Sequence, residues 1–399
     1  MRVASAGLYR QVLDAIGRNQ SDIARLQLQV ATGKRMLAPS DDPSGTVRGM
    51  HLRNAIDQLA QFQANGARAA QRLGLEDNTL QQVVDTLQRV SELAVQSQNA
   101  TETDETRGVV VTELRSILDQ LVQLANSTDG EGEYLFAGHR SGDAPFALDA
   151  GGVSYLGDQG QRMLQIGPSR QVADGDPGSD VFMDIPDGNG TFATSAAGAN
   201  TGTGIVDAGS VTDYSQWDGG SYTVVFTTAT DYEVRDAANA VVTTGTYTPD
   251  SANVVAFRGV QVSITGAPAA GDVFQVDPSA SRDVFATIEA FIDALEPGAV
   301  TDVEEAQLHN RLNGVMASLD QAFGHISQIQ AQVGTRLNAV DDQADMNTQY
   351  SILLEGTASD IENVDMVQAV SALDLKLMTL DASEQAFVAV QRLSLFNYL

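Results

Sequence analysis

The residues able to carry catalysis or hold a metal are few in this chain and poorly spaced. Its four histidines, His51, His139, His309 and His325, are scattered. None has a second histidine at metal-ligand spacing or stands in an H-E-x-x-H pattern, so a zinc centre is not expected. Asp176, Asp180, Asp184 and Asp187 are spaced like a loose calcium loop. The final bidentate glutamate of such a loop is missing, and turn chemistry accounts for them better. Asp41 and Asp42 form an acidic pair, yet adjacent carboxylates before a proline are more simply helix-capping groups. No G-x-S-x-G elbow, Walker loop or dinucleotide fingerprint falls between a strand and a helix. Asn-x-Ser/Thr triplets at Asn99, Asn126 and Asn189 are too common a pattern to carry weight. The expectation is a protein that is not an enzyme, with no catalytic residue, metal site or cofactor.

Composition narrows the class further. The 399 residues suffice for two or three domains. A formal charge of −29 argues against nucleic acid and anionic membrane as partners, because phosphate binding needs clustered Lys and Arg. Cysteine is absent, which excludes disulfides and thiolate chemistry and suits work outside a reducing cytoplasm without deciding the compartment. Lysine occurs only at Lys34 and Lys376, a bias read as codon preference. The opening MRVASAGLYRQVLDAIG has no uninterrupted apolar core, so a cleaved secretory signal is not expected. No stretch is apolar enough for a membrane span.

Helical periodicity dominates both ends. Leu13, Ile16, Ile23, Leu26, Val30 and Leu37 lie on a broken stripe within residues 10–37. Pro39 then breaks the chain, and Asp42 followed by Pro43 forms an N-cap and first-turn pair. From Val47 to about Gln98, apolar residues at three- and four-residue steps predict a long coiled-coil-like rod. Leu114, Leu118, Leu121 and Ala125 mark a shorter helix ended by Asp129-Gly130. Residues 141–278 read as a β-rich insertion, with strands near Tyr222–Thr228, Val241–Thr248 and Gly259–Ile264 and a loop-like tract over 187–220. Helix resumes at Ser281, taken as an N-cap, and stops at Pro297-Gly298. Thr301 to Glu304 form a capping box ahead of a heptad run from Leu308 to Ala344. The last 39 residues, from Ile361, read as one amphipathic helix with residues 10–37 as its partner.

The chain resembles the flagellin superfamily, and within it the hook–filament junction proteins. Four stretches carry the resemblance: Ala31–Arg35 with Pro39–Pro43; Gln88–Gln96, where Ser91 replaces a commonly basic residue; Glu133–Gly138 with Pro145-Phe146, joined by Ile264–Pro268 and Gly271–Phe274; and Ile361–Asp365 with the Ser394–Leu399 ending. Asn363 stands where flagellins often have Asp. The motif residues are Gly33, Arg35, Pro39, Ser40, Asp41, Asp42, Pro43, Phe136, Gly138, Glu362 and Asp365, and Arg89 and Glu92 are candidate protofilament contacts.

The expected fold is mainly α with a β-rich insertion: long antiparallel rods formed by the N- and C-terminal segments, with the β domain at the far end. The expected divisions are an axial helix over 1–40, a rod over 41–140, the β domain over 141–280, a second rod over 281–365 and a closing axial helix over 366–399. The resemblance implies an extracellular structural subunit of the flagellum, exported unfolded by the flagellar type III apparatus without a cleaved signal. It implies hook-associated protein 1, flagellin, a ring of its own copies and an export chaperone on the C-terminal helix as partners. The expected assembly interface is Leu13, Ile16, Ile23, Leu26, Val30, Leu373, Leu377, Leu380, Phe387, Val390, Leu393 and Phe396. A filament flagellin, or a secreted adhesin or enzyme using the insertion as its active module, are the alternative readings.

Overall fold

The computed structural model describes residues 2–99, 103–249, 253–296 and 301–396, with side chains described from residue 10 to residue 389. Among these the chain forms six α-helices: α1 (Arg2–Thr32), α2 (Pro43–Ser97), α3 (Asp104–Ala125), α4 (Val284–Leu295), α5 (Asp302–Glu362) and α6 (Met366–Phe396). Fifteen short strands lie between α3 and α4. The chain divides into two compact units, Met1–Ala64 with Gln343–Leu399, and Asn65–Asp342.

The larger unit has two large cores and a small apolar cluster of Ala69, Ile166, Val172 and Val340. The first is helical: the heptad side chains Leu308, Leu312, Val315, Leu319, Ala322, Ile326, Ile329 and Val333 of α5 are buried with Leu73 to Ala94 of α2 and the apolar faces of α3 and α4. α2 and α5 run antiparallel here, since Gln98 bonds Asn313 at 3.1 Å and Gln81 bonds Gln330 at 3.1 Å. The capping box at Thr301 and Glu304 forms as the sequence implies, the Thr301 amide donating to Glu304 Oε2 at 2.9 Å. The second core is a β-sandwich. Its five-stranded sheet runs in the spatial order Val241–Thr246, Asp231–Asp236, Tyr222–Phe226, Val273–Pro278, Phe192–Ala196. A smaller sheet centres on Val260–Thr265. Alternation decides the inner faces: Tyr222, Val224 and Phe226 point inward with Val262, Ile264 and Phe274, and the residues between them are less buried.

Three local expectations are corrected. The 187–220 tract is not a loop throughout, because Phe192–Ala196, Ile205–Val206 and Ser210–Val211 are strands. Its Ala, Gly and Thr side chains mask the alternation, and Phe192 alone supplies a large buried anchor at its start. The N-cap of α4 is Asp283, which accepts the Ala286 amide at 2.5 Å, while Ser281 pairs in a strand. α3 ends at Ala125 rather than at Asp129-Gly130, because the Asn126 side chain bonds both N–H and C=O of Phe146 at 2.9 Å and turns the chain. Pro297 and Gly298 lie outside the described residues.

Polar side chains on one face of α5 tie the sandwich to the helices. Asn310 is 6 % exposed; it accepts the Val206 amide at 2.8 Å and donates to Gly204 O at 2.9 Å. Asn313 donates to Val206 O at 3.0 Å, and Gln307 reaches Gly198 O at 3.1 Å. Asn310→Ala strands buried backbone groups and should cost about 1–3 kcal/mol in urea unfolding, without loss of helical circular dichroism at low urea.

Candidate assembly surface

Within the smaller unit, the two long helices and the two terminal helices meet at paired breaks. Gly33 ends α1 with φ +70°, its amide donating to Gln29 O at 2.8 Å; glycine takes this left-handed conformation freely. Residues 33–35 then run antiparallel to 362–364. Arg35 N–H donates to Glu362 O at 2.8 Å, Val364 N–H to Gly33 O at 2.9 Å, and Lys34 faces Asn363. The closing helix expected to run unbroken from Ile361 is therefore interrupted: α5 stops at Glu362 and α6 begins at Met366. Asp365 caps the new helix, accepting the Val367 and Gln368 amides at 3.0 and 3.1 Å.

The motif side chains hold this junction. Asp42 accepts the Gly45 amide at 2.8 Å and caps α2 ahead of Pro43, as its sequence position implies. That bond and one from Ser44 hold its carboxyl below the usual range. Asp41 accepts the Leu37 and Ala38 amides, each at 3.0 Å, and closes the exposed turn that carries Pro39 and Ser40. Arg35 reaches Asp42 at 3.4 Å. The Glu362 carboxylate, 12 % exposed, pairs with Arg53 and with Lys34 Nζ at 3.1 Å. The Arg53 hydrogen bond above all lowers its pKa. Lys34 also donates to Asn363 Oδ1 at 3.0 Å.

Beyond the breaks, α1 packs on α6. The other lysine works there: Lys376 Nζ lies 2.8 Å from Asp22 and 3.4 Å from Asn19. Ile23 and Ala369 are buried, with Ile16, Leu26, Val30, Leu373, Leu380 and Phe387 half-buried. Leu13 and Leu377 are exposed. The side chains of Val390, Leu393 and Phe396 lie outside the described residues. On α6, Ala369, Leu373, Lys376, Leu380 and Phe387 follow heptad steps and line the less exposed side, yet other apolar residues face solvent: Val367 is 80 %, Leu375 67 % and Met378 71 % exposed. In this whole unit only Ile23, Leu59 and Ala369 are buried apolar side chains among the described residues. Val47, Met50, Tyr350, Ile352 and Leu353 are each more than half exposed.

The remaining motif residues belong to the larger unit. Phe136 is fully buried and meets Phe182 edge-on at 5.2 Å. Gly138 has φ +68°, and a Cβ there would sit 2.4 Å from Asp158 O, so the position admits only glycine. Arg89 pairs with Glu92 at 2.9 Å and Glu113 at 2.8 Å on an exposed face linking α2 to α3. The aspartates spaced like a calcium loop are engaged by other protein groups: Asp176 binds Arg336, Asp184 bonds Ser281 and Asp187 accepts the Ala280 amide. His325 bonds the Asp180 carbonyl at 2.7 Å. Among the described residues no group of His, Asp or Glu is gathered for a metal ion, and no helix is long and apolar enough to cross a membrane.

Sequence reasoning missed Arg53 and both lysines, whose partners lie hundreds of residues away. The rarity of lysine was the available signal. Asp365→Ala should cost about 1 kcal/mol of helix stability at α6, read as faster amide exchange over its first turn. Glu362→Gln should speed exchange at the Arg35 and Val364 amides by roughly two- to fivefold near neutral pH. Because the Glu362 pKa is lowered on folding, its contribution is present above the ordinary value of 4.5 and is lost as pH falls below it. The wild type alone should therefore show this acid-dependent loosening.

Comparison with known proteins agrees with this geometry. Residues 3–141 match the bacterial flagellin N-terminal helical region, and residues 316–399 its C-terminal helical region. Residues 195–278 match the D2-like domain of flagellar hook-associated protein 1. Flagellar hook-associated protein 3 of Escherichia coli K12 is 25% identical over 100% of this chain and 99% of its own. The crystal structure of Xanthomonas campestris FlgL is 40% identical with a TM-score of 0.72, covering 77% of this chain and 99% of that one. The flagellar junction protein FlgL from Legionella pneumophila is 30% identical with a TM-score of 0.72, over 79% of this chain and 100% of that one. Such identity over nearly the whole of a solved relative means that the chain belongs to the flagellar hook-associated protein 3 (FlgL) family, structural components of the flagellum rather than enzymes.

Proposed function

We propose that the chain is the subunit joining hook to filament. It forms a ring of its own copies distal to hook-associated protein 1, and flagellin polymerises on top. The observation that carries this reading is the terminal unit. α6 is apolar on more sides than α1 covers, and a helix apolar all round belongs in a buried setting. In a head-to-tail lattice the neighbours supply that setting. The match of residues 195–278 to a hook-associated protein 1 domain favours a junction subunit over a filament flagellin.

The same physics supports export before folding. A helix pair that buries so little gains little from ordering alone and more from ordering in a lattice. A chain without cysteine suits passage unfolded through the flagellar type III apparatus, with an export chaperone shielding the C-terminal helix until then. The subunit then works outside the cell, at the hook–filament junction.

The interface expected from sequence keeps Leu13 and Leu377 as outward contacts and gains Val367, Leu375 and Met378. Leu373, Leu380 and Phe387 serve first to hold α6 on α1. Leu375→Asp and Met378→Asp should abolish incorporation into isolated hook–filament junctions while leaving the melting of the larger unit unchanged. Normal incorporation overturns the assignment. A deletion strain should secrete flagellin without building filaments, and immunolabelling should place the protein at the junction; labelling along the filament, or self-polymerisation of the purified chain into long filaments, would make it a flagellin instead.

A further inference from the structure

Glu76, on α2, is an acid in an unusual place. It is 1 % exposed; Oε1 accepts the Asp176 amide at 3.1 Å, and Oε2 has no hydrogen-bond partner. The charges around it are already matched. One turn earlier on α2, Arg72 donates to Asp129 at 2.7 Å and to the Tyr134 carbonyl at 2.7 Å, with Glu133 at 3.8 Å. From α5, Arg336 grips both oxygens of Asp176 at 2.9 and 2.8 Å. Arg162 pairs with Glu133 at 2.6 Å and Asp174 at 2.9 Å. The three arginines thus face four carboxylates before Glu76 is counted, and its ionisation would add a fifth negative charge with no contact to water.

We propose that Glu76 keeps its proton in the folded chain and acts as a latch, weakened as pH rises, that fastens the Asp174–Gly178 segment of the insertion to α2. In the neutral form Oε1 still accepts the Asp176 amide, and the Asp176 carboxylate remains free of a second buried charge beside it. Loss of the proton sets Glu76 against Asp176, and the segment lifts to let water reach the carboxylate. Burial first, and then the Asp176 charge, push the Glu76 pKa up to about 8, outweighing the Asp176 amide bond and the Arg336 and Arg72 charges. The sign follows: a carboxyl whose folded pKa exceeds its ordinary 4.5 stabilises the closed segment fully below that value, and the stabilisation drains away as pH rises to about 8.

Amide hydrogen exchange of the full chain tests this. After correction for intrinsic rates, opening at Gly175 and Asp176 should rise by up to about tenfold per pH unit between the ordinary and the raised pKa in the wild type. In Glu76→Gln, neutral and of the same shape, it should stay flat. Parallel profiles in the two proteins overturn the proposal. A second readout needs no variant: with carboxyl-13C glutamate, one wild-type resonance should titrate near the raised value while the others titrate in the ordinary range. Ordinary titration of every glutamate also overturns it.

Discussion

A helix with apolar side chains on several sides cannot be satisfied by one neighbour, and α6 is such a helix. Ordering a residue costs about 1–2 kcal/mol of backbone entropy, so a terminal pair needs extensive burial to hold itself. Here burial stops at Ile23, Ala369 and a seam of half-covered residues. The helical core between α2, α3, α4 and α5 is closed by contrast, with Leu80, Leu114, Leu312 and Ile326 wholly buried. One chain therefore contains a region that completes its own packing and a region that does not. The helical core is thereby self-sufficient, whereas α6 keeps Val367, Leu375 and Met378 in solvent.

The interior of the larger unit is held by two kinds of bond. Leucine, valine and phenylalanine close the helical core and the sandwich separately, but the connection between them runs through the amides of Gln307, Asn310 and Asn313 meeting backbone groups of the insertion. Side-chain amides are specific about geometry in a way that apolar contacts are not, because a buried partner left unpaired is costly. The sandwich is thereby fixed in place without sharing a core with the helices.

What could be read in advance follows from where the partners lie. Asp42 with Pro43, the Thr301–Glu304 box and the heptads from Leu308 are local patterns, and each has the structure its spacing implies. The strand at Phe192–Ala196 was hidden because small side chains carry little alternation and its partner, Val273–Pro278, is remote in sequence. The break at Asn363 was masked by an unbroken apolar pattern, although Asp365 before Met366 was a legible cap. Arg72, Asp176 and Arg336 look like ordinary surface charges until folding gathers them around Glu76. The two lysines were dismissed as compositional bias, yet each bridges the first forty residues to the last forty.

The short antiparallel pairing of residues 33–35 with 362–364 is made by backbone hydrogen bonds on both sides. A bend in one strand of such a ladder must be matched in the other. The leading and trailing helices therefore share a single pivot, and whatever turns α1 turns α6 with it. The two helices form a two-stranded lever with one fulcrum rather than a pair of independent tails, so the orientation of both is set together.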